Sequence, residues 1–342
     1  MTDNATTNAT TSATTSRLRH RTIVFNNGAV GRDIEIESAD PLNYYQAITT
    51  PREMPRAVID GKLFLPPQAT RALPVVIVVP GSLGVAPSHL AHAETFTNLG
   101  IAAFVIDPFG ARNVTSTVAN QAQFSFAASA YDVLAAVRTL STLPEIDVTR
   151  IGAQGHSRGG SAVLTAAMRR FSGPVLGAEL GLSAIYAAYP WCGHQFLDPD
   201  VAATVVRAVI GDRDEWCLPQ QVQGHIQAIR LRGGRATLRI FDGAQHSFDR
   251  GTAIETIADA AVSPDSPNNY LTDDGALIHP LTGRPDSTLV DRDLFVYGMK
   301  AGYGRKGAKI GSQPGDAAAF RTDMIDFWSE HLLGMTGEGN DD

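Results

Sequence analysis

Residues 150–161 read R-I-G-A-Q-G-H-S-R-G-G-S, and Gly155, Ser157 and Gly159 complete the pattern G-x-S-x-G. A serine held on a sharp strand-to-helix turn needs a backbone conformation that is nearly forbidden. The residues two places either side must then be almost free of side chain, so that strand and helix can approach. Gly155, Gly159 and Gly160 meet that demand. Such a serine suits nucleophilic attack, but its hydroxyl is weak near neutral pH. It needs a base within hydrogen-bond reach and a third group to orient that base.

Two later loops offer those groups. A strand-like run, Val205 to Ile210, is followed by Gly211-Asp212-Arg213-Asp214-Glu215, and another, Ala236 to Phe241, is followed by Asp242-Gly243-Ala244-Gln245-His246. Among nine histidines, His246 follows a late strand through a short glycine-containing turn and is the expected base. His156 adjoins the serine but should point elsewhere at such a turn, and His194 is a candidate pocket residue. The local pattern leaves Asp212, Asp214 and Glu215 in competition for the acid. Gly81-Ser82-Leu83-Gly84 follows the apolar run Pro74 to Pro80 and can bring a backbone N–H close to a developing oxyanion.

The elements that must hold these loops alternate. Arg56 to Leu65 reads as a strand, Pro74 to Pro80 as a fully buried central strand, Pro87 to Leu99 as a helix and Ile101 to Ile106 as a strand. Ala127, Tyr131, Leu134 and Val137 mark one face of a helix ending near Pro144. Thr149, Ile151 and Ala153 lead into the serine turn, and Ala162 to Met168 forms the apolar run after it. Ala184 to Ala188 is a further strand, Pro219 to Arg230 a helix, and Asp316 is expected to cap a last helix that stops at Gly334. This alternation predicts an α/β domain with a mostly parallel sheet covered by helices on both faces. Residues 251–315 break the rhythm and read as an insertion in a single domain over 21–335. Residues 1–20 read as a disordered tail, because the first sixteen are Thr, Ala, Asn and other small or polar residues with little to bury.

With G-H-S-R-G-G, G-D-R-D-E-W and A-Q-H-S-F in place, the chain resembles the dienelactone hydrolase family over roughly Arg56 to Arg250 plus the last helix. The resemblance implies an α/β-hydrolase fold and selects Asp214, which lies three residues after the glycine ending its strand. His246-Ser247-Phe248 looks like the family's histidine stretch, and Asp107-Pro108-Phe109-Gly110-Ala111-Arg112 looks like a loop found in many relatives. By the same resemblance Arg112 and Arg250 would hold a substrate carboxylate, with Phe109, in the same loop as Arg112, as a further substrate-contact residue. The name-giving enzymes use a cysteine nucleophile where this chain has Ser157, and a histidine often stands where it has Pro80. The serine points to conventional ester hydrolysis: attack by Ser157, His246 as base, Asp214 as its orienter, and an oxyanion held by the N–H groups of Arg158 and of Ser82 or Leu83.

Composition bounds the alternatives. The 342 residues are 44% hydrophobic and 18% charged, enough for a large core, and a net charge of -7 argues against a nucleic-acid surface. No apolar run is long enough for a signal sequence or a membrane span, so a cytoplasmic protein acting on a small-molecule ester is expected. No ligand spacing points to a metal, and no cofactor is implied. Cys192 and Cys217 are expected at the same sheet edge, either as two free thiols or as a disulfide bracing the acid loop. A peptidase of the prolyl oligopeptidase kind would share the order Ser, Asp, His, but the N-terminal region is too short for a propeller. A non-catalytic binding protein on this scaffold would be expected to lack one of the three groups, and none is missing.

Overall fold

The computed structural model describes residues 16–67 and 69–335. Its main sheet begins with β1 (Arg32–Ala39), followed by helix α1 (Tyr44–Thr49), β2 (Arg56–Phe64) and β3 (Leu73–Val79). Next come α2 (Pro87–Asn98), β4 (Ala102–Asp107), α3 (Phe126–Leu140), β5 (Ile146–His156), α4 (Arg158–Ala167) and α5 (Arg169–Leu176). Then follow β6 (Ala184–Ala188), β7 (His194–Phe196), β8 (Val205–Gly211), α6 (Pro219–Leu231) and β9 (Ala236–Phe241). The eight strands of this sheet run in the order β1-β2-β4-β3-β5-β6-β8-β9. The β1–β2 and β2–β4 pairs are antiparallel and every later pair is parallel.

The reason for this arrangement is in the strands themselves. All seven residues of β3 and all six of β4 are buried, as expected of runs such as Leu-Pro-Val-Val-Ile-Val-Val that are covered on both faces. The edge strand β1 alternates instead, with Ile34 and Ile36 turned toward the core between charged neighbours. Because parallel strands are joined by helical crossovers, the loops after β3, β4, β5, β6, β8 and β9 all leave the same end of the sheet. A ligand site on such a sheet is expected at that end.

Residues 251–315 carry structure of their own. Strands β10 (Glu255–Val262) and β14 (Arg305–Ile310) form an antiparallel pair, while β11 (Asn269–Leu271), β12 (Leu277–Ile278) and β13 (Pro285–Asp286) extend from β7 in a second small sheet. Helix α7 (Asp291–Lys300) lies between them, and α8 (Asp316–Leu333) closes the described chain. The segment is stitched to the rest by Asn43, which donates to the carbonyls of Ser287 and Leu289, and by Asp291, which accepts from the Phe126 N–H at 2.7 Å.

Two sequence expectations change. The tail expected over residues 1–20 lies mostly outside the described residues, but its last part is packed: Leu18 is fully buried, and Arg19 pairs with Asp60. Asp316 does not stand at the N-cap of α8. Gly315 does, and Asp316 instead accepts from the Gln313 N–H at 2.8 Å. The helix does end at Gly334, whose φ of 70° gives the left-handed turn glycine tolerates. Among the described residues no helix is long and apolar enough to cross a membrane.

Candidate active site

Ser157 sits between β5 and α4 with φ 55° and ψ -117°, a conformation that side chains other than glycine rarely adopt. Its N–H donates to the Ala188 carbonyl at the end of β6 (2.9 Å), which anchors the turn to the neighbouring strand. The flanking glycines are required by contact: a Cβ on Gly155 would fall 2.0 Å from the Gly159 carbonyl oxygen, and one on Gly159 would fall 2.4 Å from that of Val79. Any larger residue would push helix from strand.

The loops after β8 and β9 bring the other two side chains to this serine. His246 Nε2 lies 2.9 Å from Ser157 Oγ, and His246 Nδ1 lies 2.7 Å from Asp214 Oδ2. The second Asp214 oxygen accepts from the backbone N–H groups of Trp216 (2.8 Å) and Cys217 (2.9 Å). A carboxylate held on both oxygens keeps Nδ1 as the donor and leaves Nε2 as an acceptor facing the hydroxyl. The imidazole is also caged. Trp216 stacks on it with ring centres 5.2 Å apart, and Tyr189 meets it edge-on at 4.7 Å. The competing acid, Asp212, accepts instead from the Gly243 N–H at 2.6 Å, an exposed bond that braces the histidine loop. Glu215 faces Lys309.

Beside the serine, the loop after β3 leaves two donors free: neither Ser82 nor Leu83 gives its N–H to an acceptor among the described residues. Arg158 is the first residue of α4, where a helix N–H has no partner within the helix. The Arg158 side chain is buried. It donates to Ser129 Oγ and to the carbonyls of Gln121 and Phe124, and it lies over the Phe124 and Phe126 rings. Burial lowers this guanidinium to about 10, opposed chiefly by the Asp291 carboxylate.

The four residues expected to contact substrate separate. Arg112 is not available: its guanidinium chelates Asp132 through two bonds (2.8 and 3.0 Å), binds Asp40, and donates to the carbonyls of Pro108 and Ala39. The geometry is that of a structural ion pair, while the nearby Asp107 accepts from the N–H groups of Arg17, Phe109 and Gly110. Phe109 is buried in a small cluster with Val114, Phe124 and Ala128 and presents no open face. Arg250 is half-buried, and its guanidinium makes no hydrogen bond or ion pair among the described residues, though its charge reaches His89, His156 and Tyr189. His194 lines a small cavity with Tyr44, Ser161, Trp191 and His225. Its Nδ1 faces the Tyr44 hydroxyl at 3.3 Å, its Nε2 is buried without a partner, and burial lowers its pKa.

Sequence reasoning missed a buried polar network behind the loops that carry Ser157 and His246. Asp249 accepts from the Tyr189 hydroxyl (2.7 Å) and lies 2.9 Å from His92 Nε2. Burial works to raise this carboxyl, but the bond to His92 and the nearby His156 hold it well below the usual range. His156 stacks on His92, and burial lowers it to about 3. Ligand spacing along the chain gave no hint of a metal set, yet the fold brings His92, His156 and Asp249 together, and also Asp214, Cys217 and His246. Within these groups His92 already bonds to Asp249, His156 faces Gln154, and His246 bonds to Asp214. A metal would have to displace those bonds. Of the two states left open for the cysteines, the structure has free thiols, both buried; burial, Asp214 and Cys192 push the Cys217 thiol up.

The family model described as "Dienelactone hydrolase family" matches residues 59–266. No curated protein sequence matches the chain. Among solved structures, a dienelactone hydrolase-like promiscuous phosphotriesterase from metagenomic libraries is 16% identical, with a TM-score of 0.51 over 89% of this chain and 100% of that one. A protein described as m3DLH is 18% identical, with a TM-score of 0.54 over 88% of this chain and 99% of that one. At such identities the structural likeness speaks for the α/β-hydrolase fold alone. The family match covers more than half the sequence, so the chain belongs to the dienelactone hydrolase family and is a carboxylic ester hydrolase.

Proposed function

We propose that the protein cleaves small-molecule carboxylic esters or lactones by acyl transfer through Ser157, His246 and Asp214. The observation that carries this reading is the continuous set of contacts from Ser157 Oγ to His246 Nε2 (2.9 Å) and from His246 Nδ1 to Asp214 Oδ2 (2.7 Å). His246 takes the serine proton as Oγ attacks the ester carbonyl. Asp214 holds the imidazole tautomer and stabilises the cation that forms. The oxyanion is received by the N–H groups of Arg158 and of Ser82 or Leu83, each donor worth roughly 3 kcal/mol in the transition state. The protonated His246 then gives its proton to the departing alkoxide. Water, deprotonated by the same histidine, hydrolyses the acyl-enzyme and frees Ser157.

Because Arg112 is committed to Asp132 and Asp40, recognition of an anionic ester would fall on Arg250 alone. We also read 21–335 as one catalytic domain, with 251–315 as an elaboration bordering the site. Fluorophosphonate labelling, mapped to its residue, tests the chemistry. Label on Ser157 in the native protein and none in Ser157→Ala is the expected result. Hydrolysis should fall by several orders of magnitude in that variant, as in other serine triads. A folded alanine variant that keeps more than a few per cent of activity would overturn the assignment.

A further inference from the structure

The loop 81–85 has an unusual division of its backbone groups. The Gly81 carbonyl accepts from the Gly84 N–H (2.9 Å), and the Ser82 carbonyl accepts from the Thr117 N–H (2.8 Å) and the Ser116 hydroxyl (3.1 Å). The carbonyls of Leu83 and Val85 both accept from Arg17 Nη1, at 2.7 and 2.8 Å. Thus four carbonyls are held while the N–H groups of Ser82 and Leu83 are left without an acceptor among the described residues. Since a peptide unit is planar and trans, its N–H points opposite to its C=O. Pinning the Ser82 carbonyl therefore sets the direction of the Leu83 N–H, and pinning the Leu83 carbonyl sets that of Gly84, which closes the turn.

Arg17 reaches this loop from 66 and 68 residues away in the chain. It is itself fixed by its backbone N–H on Asp107 Oδ2 (2.7 Å), at the end of β4, and by Nη2 on the Thr115 carbonyl (3.2 Å). Asp107 in turn accepts from Phe109 and Gly110, so one arginine ties together the loops that follow β3 and β4. Among the described residues all three acceptors of its guanidinium are carbonyls. Electrostatic neutralisation of a carboxylate does not explain them, whereas a planar fork of rigidly placed donors is suited to hold several carbonyls in fixed relation. The arginine lies outside the 59–266 stretch matched by the family model.

We infer that Arg17 is a positioning residue for ester hydrolysis: through the carbonyls of Leu83 and Val85 it preorganises the loop whose free N–H groups receive the oxyanion. Arg17 is thereby part of the catalytic scaffold. This rests on the acyl-transfer reading above. A donor that must be reoriented during the reaction stabilises the transition state less than one already in place. Deleting one such donor outright costs about 100- to 1000-fold in kcat, so loosening its support should cost about 10- to 100-fold.

The test compares the full chain with Arg17→Ala and Arg17→Lys on a matched neutral ester and thionoester, whose sulfur is a poor hydrogen-bond acceptor. Wild-type turnover and labelling of Ser157 are measured on the same preparation. If both are absent, the acyl-transfer reading fails and the inference with it. If they are present, Arg17→Ala should lower kcat for the oxygen ester about 10- to 100-fold with KM changed less than about threefold. The thionoester should lose much less. Added guanidinium should restore part of the oxygen-ester rate in the alanine variant, and Arg17→Lys should fall between, since one ammonium cannot hold three carbonyls in a plane. A kcat within twofold of wild type, or equal losses on both esters, overturns the inference while leaving the triad intact. Should Arg17→Ala not fold, the oxygen-to-sulfur ratio in Arg17→Lys decides in the same way.

Discussion

Arg112→Ala should damage stability and spare substrate discrimination. The substitution removes a guanidinium that binds Asp132, Asp40 and the carbonyls of Pro108 and Ala39. It leaves the Asp132 side chain, which is fully buried, with only the Ser38 hydroxyl at 2.5 Å. Breaking a buried pair by deleting one partner costs about 3–5 kcal/mol, because the remaining charge is stranded. The Asp132 carboxyl is already raised above its ordinary value, since burial outweighs the help of Arg112 and Ser38. A carboxyl raised on folding binds its proton more tightly in the native state, so it costs stability as pH climbs through its unfolded and then its folded pKa. Without Arg112 the folded value moves higher still. The deficit should therefore be smallest near about pH 4, where the carboxyl is protonated, and grow toward neutrality. Urea melts followed by tryptophan fluorescence measure this; a midpoint lower by about 1 M or more is expected at pH 7. Arg112→Ala combined with Asp132→Asn should recover part of the loss, because the stranded charge is gone. The reasoning is refuted if Arg112→Ala keeps its midpoint yet loses kcat/KM on an anionic ester while sparing the matched neutral one, for then the arginine would serve substrate after all.

Asp214→Asn should cost far more kcat than Asp212→Asn, since Asp214 meets His246 at 2.7 Å while Asp212 only braces the Gly243 N–H; equal losses, or a larger one at Asp212, would reject this choice of acid. Thiol titration should find two reactive groups in the denatured, unreduced protein and far slower reaction in the native one, because Cys192 and Cys217 are free, buried and raised in pKa. Fewer than two groups in the denatured chain would mean that they pair in solution.

What could be read from the sequence was what depends on neighbours along the chain. β3 and β4 declare themselves because continuous apolar runs have no other home than a sheet covered on both faces. The turn at Ser157 declares itself because its steric demand falls on residues two positions away. His246 and its three candidate acids could be put forward because parallel topology sends the ends of β8 and β9 to the same edge as the end of β5, and only the family resemblance singled out Asp214 among them. Where partners come from distant segments, the pattern is silent. Arg112 read as a substrate clamp because Asp132 and Asp40 are 20 and 72 residues away, and nothing in Asp107 to Arg112 shows that α3 and the loop after β1 converge there. The strands in 251–315 were missed for a different reason. In β14, Arg-Lys-Gly-Ala-Lys-Ile keeps only Ala308 and Ile310 buried, and an antiparallel pair packed on one side imposes little hydrophobic period.

The same contrast explains how the site is kept rigid. A serine at φ 55° is strained, and such a conformation persists only where its surroundings over-determine it. Those surroundings are polar as well as apolar. On one side the Asp249 carboxylate takes the Tyr189 hydroxyl, and Tyr189 presses its ring on His246. On another, Trp328 donates to the Gln154 side-chain carbonyl at 2.9 Å, which leaves the Gln154 amide facing His156 Nε2 at 3.3 Å, directly before Ser157. A third support is Arg17 on the loop 81–85. Each of these groups loses its water hydrogen bonds on burial and regains equivalent ones only in one arrangement, so a shift of the serine turn, the histidine loop or the loop 81–85 would strand a buried donor or acceptor at about 1–3 kcal/mol apiece. Apolar packing alone tolerates small displacements; directional bonds do not. The polar network therefore sets the geometry of the three loops, while the apolar sheet beneath them supplies most of the stability.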